Sequence, residues 1–217
     1  MHKDSQAEPD SQVGFITIVS GLPRSGTSMM MRMLEAGGMP VVADHDRKPD
    51  ADNPNGYYEF EPIKKLKEDS SWVAGAAGRV VKAIYLLLYD LPGQHQYRVI
   101  LMRRDLTEVI ASQDAMLRRS GSATGGLDPK VLARHYATQL RQAVAWLREQ
   151  PNFAVTYVNY ADIVQNPAAA AAAVASFLGG AVDPVKMAAS VDRELYRQRA
   201  ASLTGREAPE WRAPHLF

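Results

Sequence analysis

The chain has no cysteine among its 217 residues. That excludes a disulfide scaffold, a cysteine-type zinc site, an iron–sulfur cluster and a thiol nucleophile. An excess of one charge is equally lacking. Lys and Arg number 25 against 24 Asp and Glu, a formal net charge of +1. No global field draws in nucleic acid, and any basic site must be local. Long hydrophobic runs are missing too: none reaches the roughly 18 residues of a membrane-spanning helix. The opening MHKDSQAEPDSQ is polar and holds no apolar signal region. These absences lead to the expectation of a cytoplasmic protein with no transmembrane segment and no nucleic-acid partner. What is present is an ordinary hydrophobic fraction of 46%. A domain runs to roughly 100–200 residues, so this length suggests one domain with a sizeable core.

The pattern along the chain divides into a flexible tail, residues 1–12, and one domain, residues 13–217. Val13 to Ser20 is a β-branched apolar run, as in a buried parallel strand. A Gly-rich turn follows, then a Met- and Leu-rich helix from Thr27 to Ala36, stopped at Gly37. Asp44 to Gly56 reads as a loop and Glu59 to Ser71 as a charged helix. Val80 to about Ile84 and Arg98 to Met102 read as strands, the second followed by a helix from Leu106 to Arg118 with Asp105 as its N-cap. Pro129 to Glu149 has helical periodicity, and Ala154 to Val158 is another strand. Asn166-Pro167 opens an Ala-rich helix, and a last helix is expected from Pro184 to about Arg199. Alternation of strand and helix predicts an α/β fold. The expected form is a single-domain, P-loop-type, three-layer sandwich with a central parallel β-sheet flanked by helices.

The most informative segment is Ser20-Gly21-Leu22-Pro23-Arg24-Ser25-Gly26-Thr27-Ser28, between a predicted strand and a predicted helix. Glycines let such a loop curl, and successive N–H groups with the helix N-terminus offer donors and positive potential to an anion. Gly21, Gly26 and Ser28 have the spacing of the nucleoside-triphosphate loop, but Thr27 occupies its lysine position. That lysine normally reaches the β- and γ-phosphates, so its absence argues against the usual ATPase or kinase mechanism. Arg24 places a cation inside the loop instead. The plainer reading is a strand–turn–helix whose glycines only satisfy geometry. A second constellation is Arg104 at a strand end with Ser112 eight residues later, two turns into the next helix. Ligands of parallel sheets bind beyond the carboxyl ends of the strands. An Arg and a hydroxyl there can grip a second phosphate, although an Arg-Asp pair at a helix start is also an ordinary cap and salt bridge.

Together these segments resemble sulfotransferases that use 3′-phosphoadenosine 5′-phosphosulfate (PAPS). Pro23 to Ser28 match the family's P-[KR]-[ST]-G-T-[ST] loop, and Arg104 with Ser112 matches its 3′-phosphate element. Val158 to Val164 with Asn166-Pro167 is similar to its downstream Y-E-D-L segment, and Asn53 to Glu59 to the Asn-Pro-x-Gly-Tyr-Tyr-Glu segment of compact bacterial members. The resemblance implies transfer of a sulfuryl group from PAPS to a hydroxyl or amine of an acceptor, a small molecule, glycan or lipid. It implies that Pro23, Arg24, Ser25, Gly26, Thr27 and Ser28 form the 5′-phosphosulfate loop, Arg24 contacting the departing phosphate. Arg104 and Ser112 would hold the 3′-phosphate, with Arg206 in Ser202 to Arg206 as a third contact, and no metal is required.

The catalytic base is where the resemblance weakens. A Lys-Thr-His strand end in the animal branch aligns with Lys82-Ala83-Ile84, which keeps the lysine role for Lys82 and loses the histidine. Other branches use a Glu after the first helix, which makes Glu59 the first choice, with Glu61 and His45 as alternatives. A carboxylate flanked by aromatics suits a general base; Glu59 also reads as a carboxylate beside a helix dipole. His135 reads as structural or exposed, and the Met cluster at Met29, Met30, Met31 and Met33 as helix packing. Trp72 and Trp211 either line a pocket or anchor the core. Two other functions compete: a P-loop kinase or NTPase, for which Asp105 is the one tempting metal ligand, and a non-catalytic nucleotide-binding protein of the same fold.

Overall fold

The computed structural model describes residues 14–44, 58–121 and 128–192. The expected tail at residues 1–12, His45, Trp211 and the segment carrying Arg206 lie outside the described residues.

Five strands form one sheet: β1 (Ile16–Gly21), β2 (Val41–Val42), β3 (Val80–Ile84), β4 (Tyr97–Arg103) and β5 (Phe153–Asn159). All pairings are parallel, in the order β2-β3-β1-β4-β5. The strands are rich in Val and Ile, and β1 is buried along its whole length, as a strand covered on both faces requires. The register sets Gly21 beside Ile84 and Met102, so the carboxyl ends of the three central strands lie level. β1 is the switch point, with later strands added on either side of it.

Two apolar layers cover the sheet. On one face Ile16, Ile18, Val81, Val99 and Leu101 pack with α2 (Leu106–Arg119) and α3 (Pro129–Glu149). On the other Val19, Val80, Ile100 and Val158 pack with α1 (Thr27–Ala36), α4 (Tyr160–Gln165), α5 (Pro167–Phe177) and α6 (Pro184–Ala189). Met29, Met30, Met31, Met33 and Leu34 make α1 apolar over most of its circumference, and all five are buried. Burial of each contributes about 2 kcal/mol. At the far end of α1, Gly37 lets α6 approach: a Cβ there would lie 2.7 Å from Met187 Cγ. The α/β sandwich inferred from the alternating pattern is the observed fold.

Three elements differ from expectation. The segment from Glu59 to Ser71 is not one helix but a 3-10 turn, Glu61–Lys65, with a second at Ser71–Ala76. Its buried Ile63 and Leu66 are three residues apart, the period at which a 3-10 turn stacks its side chains, and Pro62 cannot donate a helical hydrogen bond. β2 is only two residues long, too short to show a period. α6 ends at Ala189, where the Ser190 hydroxyl donates to the Met187 carbonyl at 2.8 Å, and the rest of the helix expected to about Arg199 lies, from residue 193 on, outside the described residues.

Candidate active site

The phosphate-type loop leaves β1 through Gly21 and enters α1 through Gly26. Gly21 has φ 146° and Gly26 φ 99°. A Cβ on Gly21 would lie 2.6 Å from Ser25 Oγ and 2.8 Å from the Met102 carbonyl, and one on Gly26 would enter the Tyr160 ring. Only glycine closes the loop this tightly against its neighbours. Arg24 also has positive φ, 69°, a conformation that costs an ordinary residue about 1–2 kcal/mol. Two ties compensate. The Ser25 amide donates to the Leu22 carbonyl at 3.1 Å, and Arg104 Nη1 donates to the Arg24 carbonyl at 3.1 Å.

The start of α1 is bare. Gly26 offers no capping side chain, and the first turn has no acidic residue. The first N–H groups of a helix have no carbonyl one turn back, so this end carries positive potential and outward-facing donors. Beside it the Ser25 hydroxyl is 1% exposed and has no hydrogen-bond partner among the described residues.

The two sequence constellations are joined directly. Arg24 Nε donates to Ser112 Oγ at 3.0 Å, so the loop cation reaches across to α2. Arg104, at the end of β4, answers in the opposite direction through its contact with the Arg24 carbonyl. Its Nε donates to Glu108 Oε2 at 3.0 Å, with the two side chains 8% and 4% exposed. Its guanidinium lies 4.4 Å from the Tyr160 ring centroid, and Tyr160 in turn closes on Gly26. Burial above all raises the Tyr160 pKa, with Arg104, Arg24 and Arg32 opposing the rise and Glu108 adding to it. The neighbouring Arg103 goes elsewhere, its guanidinium 4.0 Å from the Tyr157 ring centroid. Asp105 caps α2 by accepting from the Thr107 amide at 2.8 Å.

The other expected residues occupy separate positions. Lys82 is two residues before the end of β3, paired in register with Val19, and Ile84 at that strand end lies beside Gly21. Glu59 is half-buried in the extended run before the first 3-10 turn, its carbonyl accepting from the Asp44 amide at 2.8 Å. Glu61 is exposed and its carboxylate accepts from Lys64 Nζ at 2.5 Å. The Phe60 and Trp72 rings meet edge to face, with centroids 4.8 Å apart. Two residues of the site escaped the sequence reading. Glu108 was detectable, because Arg104 and Glu108 have the i, i+4 spacing of a helical ion pair. The ring contact of Tyr160 was not, since no local spacing joins it to Gly26.

Residues 95–184, from just before β4 to the first residue of α6, match the model of the sulfotransferase family. The chain resembles the sulfotransferases. The match takes in Arg104, Glu108, Ser112 and Tyr160; the phosphate-type loop, Glu59 and Lys82 precede it. Among solved structures, the chain is similar to the sulfotransferase domain of the Synechococcus PCC 7002 olefin synthase at TM-score 0.48 and 16% identity, over 97% of this chain and 92% of that one. It is similar to a sulfotransferase domain from the curacin biosynthetic pathway at TM-score 0.47 and 17% identity, over 92% and 100%. A third is a sulfotransferase from Alicyclobacillus acidocaldarius, at TM-score 0.45 and 16% identity, over 76% and 81%. No curated protein matches the chain.

Proposed function

We propose that the chain is a sulfotransferase that moves the sulfuryl group of PAPS to a hydroxyl or amine of an acceptor. The observation that supports this most is the bare start of α1, with a buried Ser25 hydroxyl that has no partner among the described residues and two arginines tied across it. A phosphate-bearing ligand fits that donor set, because it brings acceptor oxygens to the Ser25 hydroxyl and the first N–H groups of α1, and negative charge to the positive end of the helix. When bound, PAPS supplies an SO3 group that passes in line from a phosphate oxygen to the acceptor.

The rest is positioning and charge. The hydroxyls of Ser25, Thr27 and Ser28 hold the 5′-phosphate with the loop N–H groups, while Pro23 and Gly26 shape the curl. Arg24 stabilises the charge that builds on that phosphate as the bond breaks, and Lys82 adds a second cation. Arg104 and Ser112 hold the 3′-phosphate, with Glu108 fixing the orientation of the Arg104 guanidinium, and Arg206 supplies a further contact. Glu59 takes the proton from the acceptor. The acceptor is a small molecule, glycan or lipid.

Calorimetry with the desulfated product (PAP), ATP and Mg-ATP tests the donor. PAP should bind most tightly; tighter binding of Mg-ATP sinks this reading in favour of a kinase or NTPase. Transfer of labelled sulfate to an acceptor panel tests the reaction itself. Glu59→Gln should lower turnover about 100-fold or more while PAP affinity stays unchanged. Full activity in that variant moves the base elsewhere.

A further inference from the structure

Arg32 is a further cation near the phosphate-type loop. It lies on α1 four residues after Ser28 and so on the same face. Side chains on a helix lean toward its N-terminus, which carries the long Arg32 side chain back toward the loop. Its charge acts on both Tyr58 and Tyr160. Burial raises both phenol pKa values, helped at Tyr58 by Glu35, and Arg32 opposes the rise in each.

The Nε and Nη2 atoms of Arg32 are buried and have no hydrogen-bond partner among the described residues. They are the two N–H groups on one edge of the guanidinium, parallel and spaced for two oxygens of a carboxylate, sulfonate or phosphate. The obvious local partner is diverted: Glu35, three residues on, accepts from the Tyr58 hydroxyl at 2.6 Å. Two buried N–H groups left without an acceptor are costly to keep.

We propose that Arg32 forms an oxyanion subsite of its own, flanking the phosphate-type loop beside Tyr58 and Tyr160 and gripping its ligand bidentately. The ligand is an oxyanion group, either the sulfonate of the donor or an anionic group on the acceptor. The subsite rests on the sulfotransferase reading only for the source of that group.

The test uses the full chain saturated with PAP, which fills the phosphate contacts but carries no sulfonate. Inorganic sulfate is titrated into wild type, Arg32→Lys and Arg32→Met by calorimetry, with circular dichroism as the check of folding. Sulfate should bind wild type, bind Arg32→Lys about tenfold more weakly, and fail to bind Arg32→Met. PAP affinity should stay within about twofold throughout. Intact PAPS separates the sources. Weakening of PAPS but not PAP in Arg32→Met assigns the donor's sulfonate; unchanged PAPS with lost sulfate binding assigns the acceptor's anion. Equal sulfate binding by all three proteins overturns the subsite, as does a loss of PAP affinity that parallels the loss of sulfate. If wild type fails to bind PAP, the sulfotransferase reading fails, and the sulfate titration without PAP still decides the role of Arg32.

Discussion

The helices α1 and α2 start in equivalent places and are finished differently. Each begins at the carboxyl end of a central strand, and those strands are neighbours, with Gly21 beside Met102. At α2, Asp105 accepts from the Thr107 amide and Glu108 lies in the first turn. At α1, Gly26 caps nothing and the first turn has no acid. The starts of α3, α5 and α6 resemble α2, capped by Asp128, Asn166 and Asp183. A helix start whose donors and dipole already have an answer is complete in itself. Among the described α-helices, α4 lacks a side-chain cap but has Asp162 in its first turn, and α1 alone has neither a cap nor an acid, which leaves its start open to an anion. α2 also serves as its scaffold: Ser112 holds the Arg24 side chain, while Arg104, paired to Glu108, holds the loop backbone.

The largest expected effect breaks the bare helix start itself. Gly26→Ala forces a positive φ on an ordinary residue and drives its Cβ into the Tyr160 ring. It should cost about 2–5 kcal/mol, the sum of backbone strain and overpacking, read from the midpoint of chemical denaturation. A midpoint within about 0.5 kcal/mol of wild type would show that the loop does not need this shape. Next comes the scaffold. Arg104→Met leaves the Glu108 carboxylate buried without its arginine, and should cost about 3 kcal/mol. PAP affinity should fall about tenfold or more. Adding Glu108→Leu removes the stranded charge and should recover much of the stability but none of the affinity. Recovery of both would make the pair a structural element only.

Local spacing carries some of these contacts and not others. The strand–turn–helix of the loop, the capping of α2 by Asp105 and the Asn166-Pro167 helix start are all contained in a few consecutive residues, so the sequence displays them. The parallel sheet follows from alternation, which repeats along the whole chain. The helix expected over Glu59 to Ser71 failed because its charged residues suit a helix while Pro62 and the three-residue spacing of Ile63 and Leu66 suit a 3-10 turn. The link from Arg24 to Ser112 spans 88 positions and that from Arg104 to the Arg24 carbonyl spans 80. No local pattern encodes either; each depends on β1 and β4 lying side by side. The diversion of Glu35 by Tyr58 is of the same kind, since an Arg and a Glu three apart on a helix ordinarily suggest each other as partners.

The smallest expected effects sharpen the comparison most, because they should differ in sign. Asp105→Ala removes the cap of α2 and should cost about 1 kcal/mol of stability with PAP affinity unchanged. Ser28→Asp does the reverse at α1. It places a carboxylate in a first turn that has none, where the helix dipole favours it, and should stabilise the unliganded protein by about 0.3–1 kcal/mol. The same carboxylate occupies the donors and repels the phosphate, so PAP affinity should fall by about tenfold or more. Stability from denaturation and affinity from calorimetry then move in opposite directions in one variant. If Ser28→Asp lowers stability and leaves PAP binding intact, the start of α1 is not held open for an anion, and its missing cap has no functional meaning.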